Sequence, residues 1–115
     1  MCSDGTLSSC YYDQRLEAAG FQVIRPTKDM QARMMQAIYA VKIADIAHAR
    51  DLSLQLSEEF VAAGAAVLLL ACPELPVALD GHMERLPPHI DATVSLARAC
   101  VARALALATE PYPAD

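Results

Sequence analysis

The sequence predicts an α/β fold, a three-layer sandwich with helices on both sides of a short parallel sheet. The run from Ala65 to Ala71 is continuously apolar and lies between Gly64 and Pro73. Such a run is typical of a central parallel strand, because both faces of that strand are covered. Segments with helical periodicity precede and follow it, and this alternation produces a layered sheet with crossover connections. A chain of 115 residues fits a single domain, 1–115.

Two elements are predicted before the first long helix. Ser8 to Ala19 has the composition of a short helix, and Gly20 is placed to terminate it. Phe21 to Arg25 is a compact β-type run that Pro26 closes. We therefore expect a helix followed by a strand in this part of the chain.

Two amphipathic helices are predicted next. Thr27 and Asp29 can cap the first helix, and its apolar residues recur at helical spacing: Met30, Met34, Ile38 and Val41. Asp45 can begin the second helix, which ends at Gly64. The residues expected on its inner face are Ile46, Ala49, Leu52, Leu56 and Phe60.

The chain after the central strand is predicted to be irregular at first and then helical. Four prolines and a glycine break the stretch from Pro73 to Pro88, which indicates a functional loop or short helical turns. His89 and Ile90 can form one last short strand. Asp91 then caps an alanine-rich helix, 92–108, and we expect the tail 111–115 to be frayed.

Charge and composition exclude several classes of partner. The chain has 9 lysines and arginines against 14 aspartates and glutamates, a net charge of −5. Nucleic acids and anionic membranes require a cationic footprint, so we expect neither as a partner. The longest uncharged apolar stretch is the 12 residues from Val61 to Cys72, whereas a membrane-spanning helix needs about 20. No signal peptide is visible, and we expect a cytoplasmic protein.

The four cysteines show no metal-binding pattern. They stand at positions 2, 10, 72 and 100, without C-x-x-C spacing and without a ligand pair among the three histidines. We therefore expect no metal site. In a reducing compartment the thiols stay free, and we interpret Cys2, Cys10 and Cys100 as small buried residues.

Three segments carry residues that could take part in catalysis or ligand binding. Each of them also has a purely structural interpretation. The turn from Asp4 to Ser9 can cradle a carboxylate or phosphate, or its hydroxyls can merely cap a helix. Cys72, at the carboxyl end of the central strand, can serve as acid or base if its pKa is lowered, or it can be structural. Lys42 is either a solvated charge or a partner for an anion.

The order and spacing of these segments resemble one family. The opening GTLSSCYYDQRLEAAGFQVIRP contains a Gly-Thr turn and a helix with a tyrosine. Further along stand Gln31, Ile38, Tyr39 and Lys42, then LLLACPELPVALD and PHIDATVSLARA. Over about residues 4 to 105, this pattern resembles the carboxyl-terminal half of the cofactor-independent aspartate/glutamate racemases, a flavodoxin-like domain. LLLACPELPVALD is similar to that family's Gly-Cys-Thr-Glu-Leu-Pro signature.

The resemblance implies racemisation at the α-carbon of an acidic amino acid by two cysteines, one on each face, without pyridoxal phosphate or metal. Cys72 would be one of the two acid/base groups. Thr6, with Gly5 and Ser8, would hold the α-carboxylate, and Lys42 would pair with the side-chain carboxylate. The remaining substrate-site positions implied are Pro73 and Glu74, of which Glu74 would mainly shape the loop.

The sequence also departs from the pattern of this family. The first domain with its opposing cysteine is absent, and the first strand of the second domain is expected to be truncated to Cys2 to Asp4. Pro73 replaces a threonine, which removes a hydroxyl and a backbone N–H, and Ala71 replaces a glycine.

Two functional interpretations therefore stand. One is an incomplete racemase domain, and the other is a non-catalytic remnant that folds and self-associates. A one-cysteine decarboxylase-like relative is disfavoured, because Lys42 suits a dicarboxylic amino acid. Either a second copy of the chain or a separate amino-terminal half is the expected partner.

Overall fold

The computed structural model describes residues 1–108, with side chains to residue 106. Within that range two short parallel strands, β1 and β2, are paired so that Leu69 lies opposite Ile90. The elements are α1 (Asp4–Ser9), α2 (Tyr11–Ala18), α3 (Lys28–Lys42), α4 (Ile46–Ala62), β1 (Leu68–Leu70), α5 (Glu74–Ala78), a 3₁₀ turn (Met83–Arg85), β2 (His89–Asp91) and α6 (Ala92–Ala108). The predicted α/β fold with a short parallel sheet is confirmed.

The core lies between the helix pair α3–α4, the short helix α5 and strand β1. Its buried side chains include Met34, Ile38, Leu56, Phe60, Leu68, Leu70, Leu75 and Leu79. The predicted inner faces of α3 and α4 are confirmed except at two positions. Val41 is half-buried, and Ile46 is 37% exposed because it is the first residue of α4, at the edge of the helix pair.

Helix starts follow the predicted caps. The Thr27 side chain accepts a hydrogen bond from the Met30 N–H at 3.2 Å, and the Asp45 carboxylate accepts one from the His48 N–H at 3.2 Å. At α6, the Asp91 carboxylate accepts two, from the N–H groups of Thr93 and Val94. These contacts satisfy amide donors that a helix start leaves without intrahelical partners.

The predicted helix from Ser8 to Ala19 is confirmed only in part, because α2 (Tyr11–Ala18) lies within it while Ser8 and Ser9 belong to a separate helix, α1. Cys10 separates α1 from α2 with a left-handed backbone, φ 52°. The Ser9 hydroxyl donates to the Thr6 carbonyl at 2.8 Å, and the Cys10 N–H donates to Leu7. Serine side chains that bond to nearby backbone compete with helix continuation, and here they accompany the break. The Ser3 side chain caps α1 and accepts a hydrogen bond from the Thr6 N–H.

The predicted strand from Phe21 to Arg25 does not form. A strand requires a neighbour that pairs with its backbone, and no backbone pairing is recorded for Gln22 to Arg25 in the described part of the chain. An apolar groove separates this segment from β1. The segment is held at its ends instead: the Phe21 N–H donates to Leu16, and Arg25 forms an ion pair with Asp13 at 2.6 Å.

Strand β1 is shorter than the predicted run, and it has partners on both edges. One edge pairs with β2. On the other edge, the Met1 nitrogen donates to the Leu69 carbonyl at 2.8 Å and the Ala71 N–H donates to the Met1 carbonyl at 2.9 Å. This is the pattern of a parallel ladder, in which one residue bridges two residues of its neighbour. The residue that pairs here is therefore Met1, and not the expected Cys2 to Asp4, because Asp4 already lies in α1.

Helix α6 is exposed along most of its length. Val94, Leu96, Val101 and Leu105 are each 43–65% exposed. Cys100 is exposed as well, so its interpretation as a buried residue is wrong, while Cys2 and Cys10 are only half-buried. The cause at Cys100 is that α6 packs mainly beside β2 and has no helix covering it in the described structure. The tail 111–115 lies outside the described residues.

No helix within residues 1–108 is long and apolar enough to cross a bilayer.

Candidate functional site

Cys72 lies just beyond the carboxyl end of β1, where open α/β sheets bind their ligands. Its side chain is buried, with 8% of the residue exposed. The following helix α5 holds this position, because the Leu75 N–H donates to the Cys72 carbonyl at 3.1 Å and Leu75 itself is buried in the core. Pro73 stands at the start of α5 with φ −58°, the value to which its ring restricts it.

The Cys72 thiol donates a hydrogen bond to Glu74, with 2.9 Å between Sγ and Oε2. Burial, followed by this bond and the negative charge of Glu74, raises the pKa of Cys72 from its ordinary value of 9.0 to about 11. The condition under which Cys72 would be an acid/base group with a lowered pKa is therefore not met in this structure. The physical reason is that a carboxylate faces the sulfur, while Pro73 supplies no amide N–H that could stabilise a thiolate.

Glu74 contacts both Cys72 and Lys42 in the structure. One carboxylate oxygen of Glu74 accepts a hydrogen bond from the Cys72 thiol, and the other oxygen lies 3.8 Å from the Lys42 ammonium. The thiol hydrogen bond first, and also the Lys42 charge, lower the pKa of Glu74, so the group is ionised. A thiol, a carboxylate and an ammonium thus form one chain of contacts.

Lys42 is the last residue of α3 and its side chain is 56% exposed. Its Nζ lies 5.7 Å from the centroid of the Tyr39 ring, within the range of a cation–π contact. Because the contact with Glu74 is long and the ammonium remains exposed, Lys42 retains donors that can bind another anion.

The hydroxyl-rich helix α1 starts at the same edge of the sheet as Cys72, because Met1 pairs beside Ala71. Gly5 and Ser8 are exposed, and Thr6 is half-buried. The Thr6 hydroxyl lies 3.2 Å from that of Ser3, in the cap of α1. No contact between these residues and Cys72 is recorded in the described chain.

Contacts with α3 place α1 some distance from Lys42. The Gln31 side chain donates to the Cys2 carbonyl at 3.2 Å and to Asp4 at 2.7 Å, and the Asp4 N–H points at the Met35 sulfur. Lys42 follows Met35 by seven residues, about 10 Å along a helix. The structure therefore brings Cys72, Glu74 and Lys42 together, while α1 contacts α3 at Gln31 and Met35.

Cys2, which was expected in the truncated first strand, lies at this edge, and sequence reasoning missed its proximity to Cys72. Its charge contributes to raising the pKa of Cys72, and its own pKa is raised by burial. No motif surrounds Cys2 in the sequence, so only the pairing of Met1 with β1 reveals where it lies. Among the described residues, no group of three or more histidine, cysteine, aspartate or glutamate side chains is arranged to hold a metal ion.

Comparison with known proteins agrees with this arrangement of motifs. The chain is 29% identical over 102 residues to a protein of Pectobacterium carotovorum subsp. carotovorum that is named "Uncharacterized protein in pnlA 3'region". The alignment covers 88% of this chain and 68% of that relative. The sequence model of the Asp/Glu/Hydantoin racemase family matches residues 1–100. Because that match spans most of the chain, the protein belongs to the Asp/Glu/Hydantoin racemase family.

Proposed function

We propose that this chain is a racemase domain that acts at the α-carbon of an acidic amino acid, and that it corresponds to the carboxyl-terminal half of an aspartate/glutamate racemase. The observation that carries the proposal is the buried Cys72 thiol, bonded to Glu74 at 2.9 Å with Lys42 on the other carboxylate oxygen. This arrangement offers a proton donor for the reacting carbon and a cation for a substrate carboxylate.

In the proposed reaction, a base on one face of the substrate removes the α-proton, and the C–H bond pair stays on the α-carbon as a carbanion. Cys72 donates its thiol proton to the opposite face, which forms the new C–H bond and leaves a thiolate. The reverse reaction uses that thiolate as the base. Proton transfer between the two acid/base groups and solvent restores the starting state. Such transfers work best when the groups are positioned within hydrogen-bond reach of the carbon.

The protonation state of the site supports an acid role for Cys72 in the resting chain. A pKa of about 11 keeps the thiol protonated at neutral pH. For Cys72 to act as base, Glu74 must turn away from the sulfur or exchange its partner. A substrate carboxylate that binds Lys42 would compete with Glu74 for the ammonium, and the carboxylates would repel each other.

The second acid/base group is proposed to come from a partner. Thr6, Gly5 and Ser8 would hold the α-carboxylate, with Pro73 and Glu74 beside the substrate. The partner is either a separate amino-terminal half or a second copy of the chain. The proposed location is the cytoplasm, where thiols stay reduced.

A non-catalytic, self-associating relative is the alternative. Pro73 favours it, because a proline after the cysteine offers neither a hydroxyl nor an N–H to a bound anion. The raised pKa of Cys72 favours it too. The two proposals differ in whether an acidic amino acid binds next to the thiol.

Substrate binding is tested by protection of Cys72 from alkylation, followed by mass spectrometry of the Cys72 peptide. We expect aspartate or glutamate to slow the modification. Lys42→Ala is expected to weaken this protection about tenfold or more, because it removes a charge-assisted contact. Lys28→Ala is the matched control, since Lys28 is the first residue of the same helix, about 21 Å away. Equal protection in both variants, or none by either amino acid, would contradict the racemase proposal.

Catalysis by the chain alone is tested by incubating L-aspartate and L-glutamate in deuterated water. We expect slow or absent exchange of the α-proton, because the described structure provides one placed acid/base group where racemisation needs two. Any exchange that occurs is expected to disappear in Cys72→Ser. Rapid exchange would mean that the chain, alone or as a homo-oligomer, supplies the second base.

A further inference from the structure

Cys72, Glu74 and Lys42 are connected in the order of a nucleophile, a base and a group that orients the base. The Cys72 thiol donates to one Glu74 oxygen at 2.9 Å, which is within the reach of direct proton transfer. The other oxygen of Glu74 lies 3.8 Å from the Lys42 ammonium. A nucleophile bonded to a base that a third group orients is the general arrangement for covalent catalysis. These three side chains therefore have the connections needed for attack by the sulfur on an electrophilic carbon.

Acyl transfer needs all of its groups in one cluster. Racemisation requires acid/base groups on both faces of the α-carbon, whereas attack on a carbonyl carbon requires a nucleophile, an acceptor for its proton and positive charge for the oxyanion. Cys72, Glu74 and Lys42 supply these three requirements within one chain of contacts. Acyl transfer at this site therefore needs no partner, and it does not depend on the proposed racemisation.

The protonation states of the resting site suit this division of roles. Burial first, and then the bond and charge of Glu74, raise the pKa of Cys72 to about 11, so the thiol is protonated at neutral pH. The thiol hydrogen bond first, and also the Lys42 charge, lower the pKa of Glu74, so the carboxylate is ionised. An ionised carboxylate beside a protonated thiol can take the proton as the sulfur attacks and return it to a leaving group afterwards.

Exposed apolar side chains flank the charged pair. Tyr39 is 58% exposed, and its ring centroid lies 5.7 Å from the Lys42 Nζ. Val77 is 53% exposed and stands three residues after Glu74 in α5, a spacing that places the two side chains on the same side of a helix. The charges of Glu74 and Lys42 offset each other. This surface favours an uncharged ester with an apolar or aromatic part.

We propose that this chain has an esterase activity in which Cys72 accepts the acyl group of a small, uncharged ester. The sulfur bonds to the carbonyl carbon while the thiol proton passes to Glu74, and Lys42 offsets the charge that develops on the carbonyl oxygen. The C–O bond to the alcohol then breaks, and the alcohol oxygen takes the proton from Glu74. Water attacks the thioester with Glu74 as base, which releases the carboxylic acid and returns a proton to the sulfur.

Phenyl acetate and p-nitrophenyl acetate test this activity, with the acetylated peptides identified by mass spectrometry after acid quenching. At pH 7 we expect Cys72 to be acetylated about tenfold or more faster than Cys100, although Cys72 is buried and Cys100 is exposed. We also expect each chain to release several equivalents of phenol. Release of one equivalent only, or acetylation of Cys100 at an equal or higher rate, would overturn the proposal.

Glu74→Gln separates a proton-transfer role of Glu74 from a merely structural one. Phenolate is a more basic leaving group than p-nitrophenolate, so its departure depends more on a proton from Glu74. We expect this variant to slow acetylation of Cys72 by phenyl acetate about tenfold or more, and by p-nitrophenyl acetate less. Alkylation of Cys72 by iodoacetamide at pH 7 should not slow, because the pKa of the thiol falls and iodide leaves without a proton. Acetylation that becomes faster together with alkylation would overturn the proposal.

Two further variants complete the test. Glu58→Gln is the matched control, because Glu58 is exposed on α4, and it should leave both acetylation rates unchanged. Lys42→Met is the second variant if circular dichroism shows that Glu74→Gln is unfolded. It should slow acetylation by both esters about tenfold, because the charge that offsets the oxyanion is gone, and unchanged acetylation would overturn the proposal. A failure of the racemase proposal would leave these results unaffected, since no amino acid takes part.

Discussion

At the residue scale, the Cys72–Glu74 contact decides the chemistry of the site. The sequence places the two residues two positions apart, and the structure turns the carboxylate onto the thiol at 2.9 Å. We predict that the rate of Cys72 alkylation by iodoacetamide rises with pH around a midpoint near 11 rather than 9, because only the thiolate reacts. Peptide mass spectrometry distinguishes Cys72 from the other cysteines.

The matched variant for this prediction is Glu74→Gln, which keeps the shape and an acceptor oxygen but removes the charge. We expect the midpoint to fall towards the ordinary value, since one of the causes that raise the pKa is gone while burial remains. An unchanged midpoint would show that burial alone controls the thiol. A midpoint below 9 in the unmodified chain would contradict the geometry described here.

At the element scale, an ion pair between Arg33 and Glu59 joins the two long helices. Arg33 of α3 binds Glu59 of α4 through two hydrogen bonds of 2.7 and 2.6 Å, and its Nε donates to Asp29 at 2.8 Å. The hydrogen bonds from Arg33 lower the pKa of Glu59. A carboxylate with a lowered pKa stabilises the fold above its ordinary pKa, and this contribution is lost as the pH falls through the folded-state value.

We predict that Glu59→Gln lowers the free energy of unfolding at pH 7, measured by urea denaturation, and that the difference from the parent chain shrinks in acid, near pH 3. Added salt should shrink it as well, because the pair is near the surface. Glu58→Gln is the matched control, because Glu58 is exposed and has no ion pair recorded in the described structure. A loss of stability that is the same at pH 3 and pH 7 would contradict a stabilising role of the Arg33–Glu59 ion pair.

At the scale of the whole molecule, helix α6 leaves an apolar face uncovered. Val94, Ala97, Val101 and Leu105 follow one another at spacings of three or four residues and are all exposed, which places them on one side of the helix. Contiguous apolar surfaces of several hundred Å² are seldom left open on soluble monomers. A homodimer that pairs these faces about a two-fold axis would close the assembly.

We predict that the chain forms a dimer or a larger species in light scattering at micromolar concentration, with reductant present so that exposed Cys100 cannot crosslink it. Val101→Asp or Leu105→Asp should shift the population towards monomer. Glu58→Lys, which changes a charge on α4, should not. A stable monomer in the unmodified chain would refute the prediction.

The local elements of this protein follow from local sequence signals. Caps at Thr27, Asp45 and Asp91 and apolar residues at helical spacing were sufficient to predict α3, α4 and α6, because these helices are stabilised by contacts within the segment and by one apolar face. The strand at β1 follows from its uninterrupted apolar run. Cys72 could be identified as a candidate site residue because it stands at the end of that strand.

Only the tertiary structure decided what lies beside these elements. Phe21 to Arg25 has the composition of a strand, yet it forms none, because pairing depends on a neighbour that its own sequence does not specify. The pKa of Cys72 depends on where Glu74 turns and on how much of the sulfur is buried, and neither can be read from the order of residues. Sequence therefore determined helices α3, α4 and α6, strand β1 and the position of the thiol, while packing determined the edge of the sheet and the charge of the site.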